Sequence, residues 1–177
     1  MKTWFKSFGL FLIAAIIFFP FALSAKTPES QKSERKAPGP NKVTAQVARG
    51  RYLVRMCGCN DCHTDRYMAS EAKVPESDWL AGDSVGWHGP WGTTYAINLR
   101  LFIPNLSEDA WVKVARTIKS RPAMPWWVLH EMAEQDLRAI YQFTKTLGVK
   151  GENAPAYLPP GQKPNPPYFE FVPPAAK

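Results

Sequence analysis

Apolar positions in the chain fall into helical registers at three places. Residues 44–58 set Val47, Gly50, Leu53, Val54 and Cys57 three or four apart, which is one face of a helix. A second helix is predicted from Ser107, a capping-type residue with Glu108 and Asp109 in the first turn. Trp111, Val114, Ala115 and Ile118 share its face. The clearest pattern runs from about Ala133 to Leu147. Glu134 and Asp136 come early, Leu137, Ile140, Tyr141 and Leu147 form the stripe, and Gly148 is the stop. Between residues 64 and 106 neither the helical nor the strand period is sustained. Gly82, Gly86, Gly89, Gly92, Pro75, Pro90 and Pro104 punctuate that stretch as loop. So long a loop is unusual inside a compact domain, unless it wraps something other than protein.

The two ends follow other patterns. Lys2 and Lys6 precede an apolar run from Phe8 to Leu23, and Ala22 and Ser24 are small residues at the positions a signal peptidase reads. Residues 1–24 are therefore expected to be an export signal cleaved before Ala25. A helix over the apolar run would reach roughly 24 Å, short of the roughly 30 Å hydrocarbon core, so cleavage is favoured over a retained membrane anchor. In either case the remainder is placed outside the cytoplasm, in the periplasm. Residues 25–43, rich in Lys, Ser and Pro, read as a flexible lead-in. Residues 150–177 hold eight of the 17 prolines after position 154, but Tyr157, Leu158, Tyr168, Phe169, Phe171 and Val172 interrupt them. An extended arm packing those side chains on a domain over 44–149 is the expectation.

At 45% hydrophobic and 21% charged, the 177 residues can build a core, which excludes a wholly disordered chain and a polytopic membrane protein. The net charge of +7 would suggest nucleic acid, but residues 44–149 contribute only +1 and residues 26–43 contribute +3. The folded part therefore offers no charge argument for nucleic-acid binding.

The chemistry lies in Cys59-Asn60-Asp61-Cys62-His63. C-x-x-C-H is the attachment signature of c-type haem. Cysteines three apart on a helical turn project to one side, where each can form a thioether to a porphyrin vinyl group. His63 lies on the same face and can present an imidazole nitrogen to the iron. A Cys59–Cys62 disulfide would explain neither His63 nor the long loop. Zinc held by Cys57, Cys59, Cys62 and His63 fits by residue type but needs adjacent Cys62 and His63 on one ion. A thioredoxin-type pair wants a βαβ context that is missing. Cys57, on the face it shares with Gly50 and Leu53, reads as a small buried hydrophobe, with an intermolecular disulfide or redox sensing as alternatives.

Candidates for a sixth iron ligand are Met68, His88, Met124, His130 and Met132. Met124 is favoured because Pro122 and Pro125 hold its segment extended, and Met with His is the established pair in such electron carriers. His88, beside Gly89-Pro90, is the rival. Trp87, Trp91, Trp126 and Trp127 are candidates for the pocket wall, and Tyr95, Asn98, Arg100 and the indoles for contacts to propionates.

Several segments carry a family resemblance. They are Gly50-Arg51-Tyr52-Leu53 ahead of the haem motif, Gly92-Thr93-Thr94-Tyr95-Ala96-Ile97-Asn98-Leu99, Pro122-Ala123-Met124-Pro125, and Asp136-Leu137-Arg138-Ala139-Ile140-Tyr141. Over about residues 48–148 the chain resembles class I c-type cytochromes, and more closely the cytochrome subunits of bacterial membrane-bound alcohol and sugar dehydrogenases. Those subunits usually carry three haems, whereas this chain has a single C-x-x-C-H and so one haem c. The resemblance implies an all-α class I cytochrome c fold, with the first and last helices crossing beside the haem and Gly50 at the crossing. It also implies His63 as proximal and Met124 as distal iron ligand.

The expected function is an exported monohaem electron carrier rather than an enzyme. It would pass single electrons between redox partners such as a periplasmic dehydrogenase, a quinol-oxidising complex or a terminal oxidase. A relay subunit of a larger oxidoreductase is one alternative. A gas-binding or peroxidatic haem protein is another, should Met124 not be a firm ligand. The basic lead-in would favour an acidic partner or an anionic membrane surface.

Overall fold

The computed structural model describes residues 40–172, with side chains from Thr44 onward. The predicted export signal and most of the lead-in lie outside the described residues. The elements are α1 (Pro40–Met56), α2 (Cys59–His63), β1 (Gly86–Gly89), β2 (Gly92–Tyr95), α3 (Leu99–Phe102), α4 (Glu108–Thr117), α5 (Trp127–Glu131), α6 (Glu134–Leu147) and β3 (Tyr168–Glu170). Single 3₁₀ turns cover Glu76–Asp78 and Ile103–Asn105. No helix among the described residues is long and apolar enough to cross a membrane.

The core forms where α1 lies against α6. Leu53 and Val54 of α1 meet Leu137, Ile140 and Phe143 of α6, and Trp111 and Ala115 of α4 close the layer. Gly50 permits this approach. A Cβ there would lie 2.0 Å from the Ala139 carbonyl oxygen and 2.8 Å from the Phe143 Cβ, so any side chain would force the helices apart. Trp79 packs edge-on to Tyr67 and Phe143, with ring centroids 6.0 and 6.2 Å apart. Ser107 accepts a hydrogen bond from Ala110 N–H at 3.1 Å and caps α4 as its residue type requires.

The all-α expectation is overturned, because the helices are joined by a three-stranded sheet in the order β2-β1-β3. β1 and β2 form an antiparallel hairpin in which Gly86 faces Tyr95 and Gly89 faces Gly92. The two-residue turn, Pro90–Trp91, is closed by Gly92 at φ 94, a backbone that favours glycine. β3 runs parallel to β1, pairing Gly86 with Tyr168 and His88 with Glu170. Leu158 adds a two-way bridge to Thr93, at 2.8 and 3.0 Å. Strands of three and four residues, two of them rich in glycine, are too short to show a sustained alternation. β3 supplies its partner from the far end of the chain, which no local period reveals.

The same reasoning corrects the long loop over 64–106. It holds the hairpin and α3, whose cap is Asn98, accepting from Arg100 N–H at 2.9 Å and Leu101 N–H at 3.1 Å. Asn98 also donates to the carbonyls of Lys150 and Glu152, at 2.8 and 3.1 Å. Buried Arg100 donates to the carbonyls of Ser77 at 2.6 Å, Gly148 at 2.7 Å and Leu147. It thereby satisfies carbonyls at the C-terminal end of α6 and ties that end to the loop.

Candidate functional site

α1 stops at Met56, and Cys57 and Gly58 turn the chain, Gly58 at φ 68, into the short helix α2. α2 consists of the C-x-x-C-H residues themselves, so its geometry carries the motif. Two tethers fix its end. The His63 carbonyl accepts from Gly82 N–H at 2.8 Å, and the Thr64 hydroxyl donates to Asn60 Oδ1 while accepting from Leu80 N–H, both at 2.8 Å. His63 Nδ1 lies 2.8 Å from the Ile97 carbonyl oxygen. A carbonyl only accepts, so Nδ1 carries the proton and Nε2 keeps its lone pair. Burial lowers the pKa of His63 and holds the ring neutral, the form that ligates metals.

His63 opens onto a cleft of about 1200 Å³, including its solvent-facing mouth. Cys59 and Cys62 line the same wall. Burial pushes the Cys59 thiol up to about 12 and the Cys62 thiol up to about 11, so both are neutral thiols near pH 7. All three cysteines are free. Met124 lines the cleft from the segment joining α4 to α5. Thr94 of β2 anchors that segment by donating to the Pro122 carbonyl. The rest of the wall is mostly apolar and comes from every layer, with Trp87 from β1, Phe102 from α3, Trp111 from α4, Leu129 from α5 and Ile140 from α6.

Other sequence candidates sort differently. Met132 faces the cleft, whereas Met68, His88 and His130 do not. His88 Nδ1 pairs with Thr93 Oγ1 at 2.7 Å inside the sheet, and His130 donates through Nε2 to the Ile118 carbonyl at 2.9 Å. Of the four tryptophans proposed for the wall, Trp87 alone lines it. Trp126 stacks with Trp127 and His130 instead. Trp111, read from sequence only as a core residue, lines it too. Tyr95 faces the cleft, while Asn98 and Arg100 do not and are committed to backbone carbonyls. Cys57 is exposed at the cleft wall rather than buried. Among the described residues no three His, Cys, Asp or Glu side chains converge as a metal site, which removes the basis for four-ligand zinc.

The arrangement therefore brings the Cys57, Cys59 and Cys62 thiols and one neutral imidazole to a largely apolar cleft, with a proline-flanked thioether also on its lining. No family model, curated protein or solved structure matches the chain.

Proposed function

We propose that this protein is an exported monohaem c-type cytochrome that carries single electrons between redox partners. One observation supports it above the others: a single apolar cleft gathers Cys59, Cys62, His63 and Met124, residues that the sequence separates by up to 65 positions. The donor set fits haem c, with two thiols that could form the thioether attachments and a neutral imidazole and a soft thioether that could ligate the iron. Haem supplies one-electron iron chemistry when bound. The chain's own part is to hold and insulate it. Cys59 and Cys62 would anchor the macrocycle and His63 Nε2 would ligate the iron, with the ring orientation set by the Ile97 carbonyl. Met124 would take the remaining position and favour the reduced state relative to a second His. Trp87, Phe102, Trp111 and Ile140 give the cleft apolar walls that would keep water from the haem.

The partners are proposed to be periplasmic or membrane-bound redox proteins, with the basic segment 26–43 steering acidic ones. The test is purification from a host competent in cytochrome c maturation, followed by mass measurement and oxidised and reduced spectra with and without carbon monoxide. A covalent haem, a low-spin spectrum and indifference to carbon monoxide are expected. A chain whose mass carries no haem increment, with or without residues 1–24, would overturn the reading. Avid carbon monoxide binding would move the function to gas binding or peroxidatic chemistry.

A further inference from the structure

Among the described residues lining the cleft, Arg121 is the one Asp, Glu, Lys or Arg. It is exposed, next to Pro122, whose carbonyl is tied to Thr94. Its guanidinium lies 3.8 Å from the ring centroid of Tyr157, a residue of the C-terminal arm. Tyr157 is itself fixed, donating its hydroxyl proton to the Trp91 carbonyl at 2.7 Å. Among the described residues no carboxylate pairs with Arg121, and no acceptor takes its N–H groups. A stacked guanidinium keeps its N–H edge available and loses part of the rotamer freedom that a solvated one must give up on binding. An apolar cleft with one oriented, unpaired cation at its mouth matches a ligand with an apolar body and an acid group, because a carboxylate leaving water needs a charged partner.

We propose that Arg121, seated on Tyr157, recognises a carboxylate of the bound cofactor, and that the C-terminal arm is thereby part of the cofactor site. This rests on the haem c reading, since haem carries such carboxylates as propionates. Arg100 and Asn98 are already occupied elsewhere, which leaves Arg121 to do this.

The test is the reduction potential of the holoprotein measured against pH. Ionisation of a carboxylate near the iron lowers the potential, and a paired guanidinium displaces that ionisation to lower pH. In Arg121→Met the midpoint of this step should rise by about one pH unit or more. Tyr157→Leu should move it the same way by less, and Arg121→Lys should restore most of the wild-type profile. Cys57 and Tyr95 are the other titratable groups that would remain free in the cleft. Cys57→Ala and Tyr95→Phe should leave the displacement in place. Should Arg121→Met fail to mature, the Tyr157→Leu and Arg121→Lys profiles decide the matter by the same criterion. Attached haem with an unmoved profile would overturn this proposal alone. A wild-type chain without covalent haem would overturn it together with the cytochrome reading.

Discussion

At His63 the ring and the backbone are fixed separately, the ring by Ile97 and the carbonyl by Gly82, so the imidazole has little freedom left. Met124 differs from Met132 in the same respect. Both line the cleft, but Met132 also packs against the hydrophobic core, while Met124 sits in a proline-flanked segment outside it. Met124→Ala should abolish the thioether-to-iron absorption band and admit carbon monoxide to the reduced protein. Met132→Ala should leave the band in place and cost about 2 kcal/mol in urea unfolding, the low end for a core methionine. The two glycines of the helical pair make a second contrast. Gly50→Ala drives a methyl into the Ala139 carbonyl and should cost about 3 kcal/mol or prevent folding. Gly148→Ala meets open space, yet φ 70 with ψ 179 is a backbone almost confined to glycine and penalises a side chain there by about 2 kcal/mol. Chemical denaturation of both variants checks the order. That Cys59, Cys62 and His63 share one wall and that Gly50 sits at the helix contact were legible, because residue type and short spacing carry that information. Arg121 on Tyr157 was not, since nothing in either sequence neighbourhood points to the other.

At the scale of elements, the three helices with clear stripes, α1, α4 and α6, form within a few residues of where the pattern puts them. Each buries one face, and burial of one face is what a period reports. α1 ends early, at Met56, because Gly58 takes a left-handed backbone before the C-x-x-C-H residues. The sheet was invisible for the opposite reason. Its strands are short, and β3 is recruited by contacts distant in sequence, chiefly Phe169 and Phe171 on Trp87, with ring centroids 5.0 and 5.9 Å apart. Trp87 also lines the cleft, so the arm packs against a residue of the cleft wall. Phe169→Ala and Phe171→Ala should each lose about 1 kcal/mol of ring–ring packing beyond their buried area. Limited proteolysis should then cut first within residues 152–172, a region whose attachment is local rather than global. Cleavage starting in α1 or α6 would contradict that placement of the arm.

At the scale of the whole molecule, polar ties among the described residues add to the apolar contacts that hold the arm and the loop. Arg100 links the α6 terminus to Ser77, and Lys150, at the root of the arm, pairs with Asp78 next door. The hydrogen bond and charge of Lys150, helped by Ser77, hold the Asp78 carboxyl below its ordinary value of 3.8. A folded-state value below the unfolded one means that the unfolded chain takes up the proton first as pH falls. The stabilisation is therefore complete above about pH 4 and disappears as the pH drops through the lower folded value. Asp78→Asn should leave the protein somewhat less stable at pH 7 and flatten the acid limb of its stability curve. Lys150→Met should remove most of the same limb, because it takes away the largest cause of the shift and leaves only Ser77 and Arg100. Both partners are solvent-exposed, so the difference from wild type should shrink in 1 M salt, where the screening length is about 3 Å. Urea midpoints measured between pH 2 and 7 at two salt concentrations test this. Curves for Asp78→Asn and wild type that stay parallel through the acid range would show that the tie is not what acid breaks.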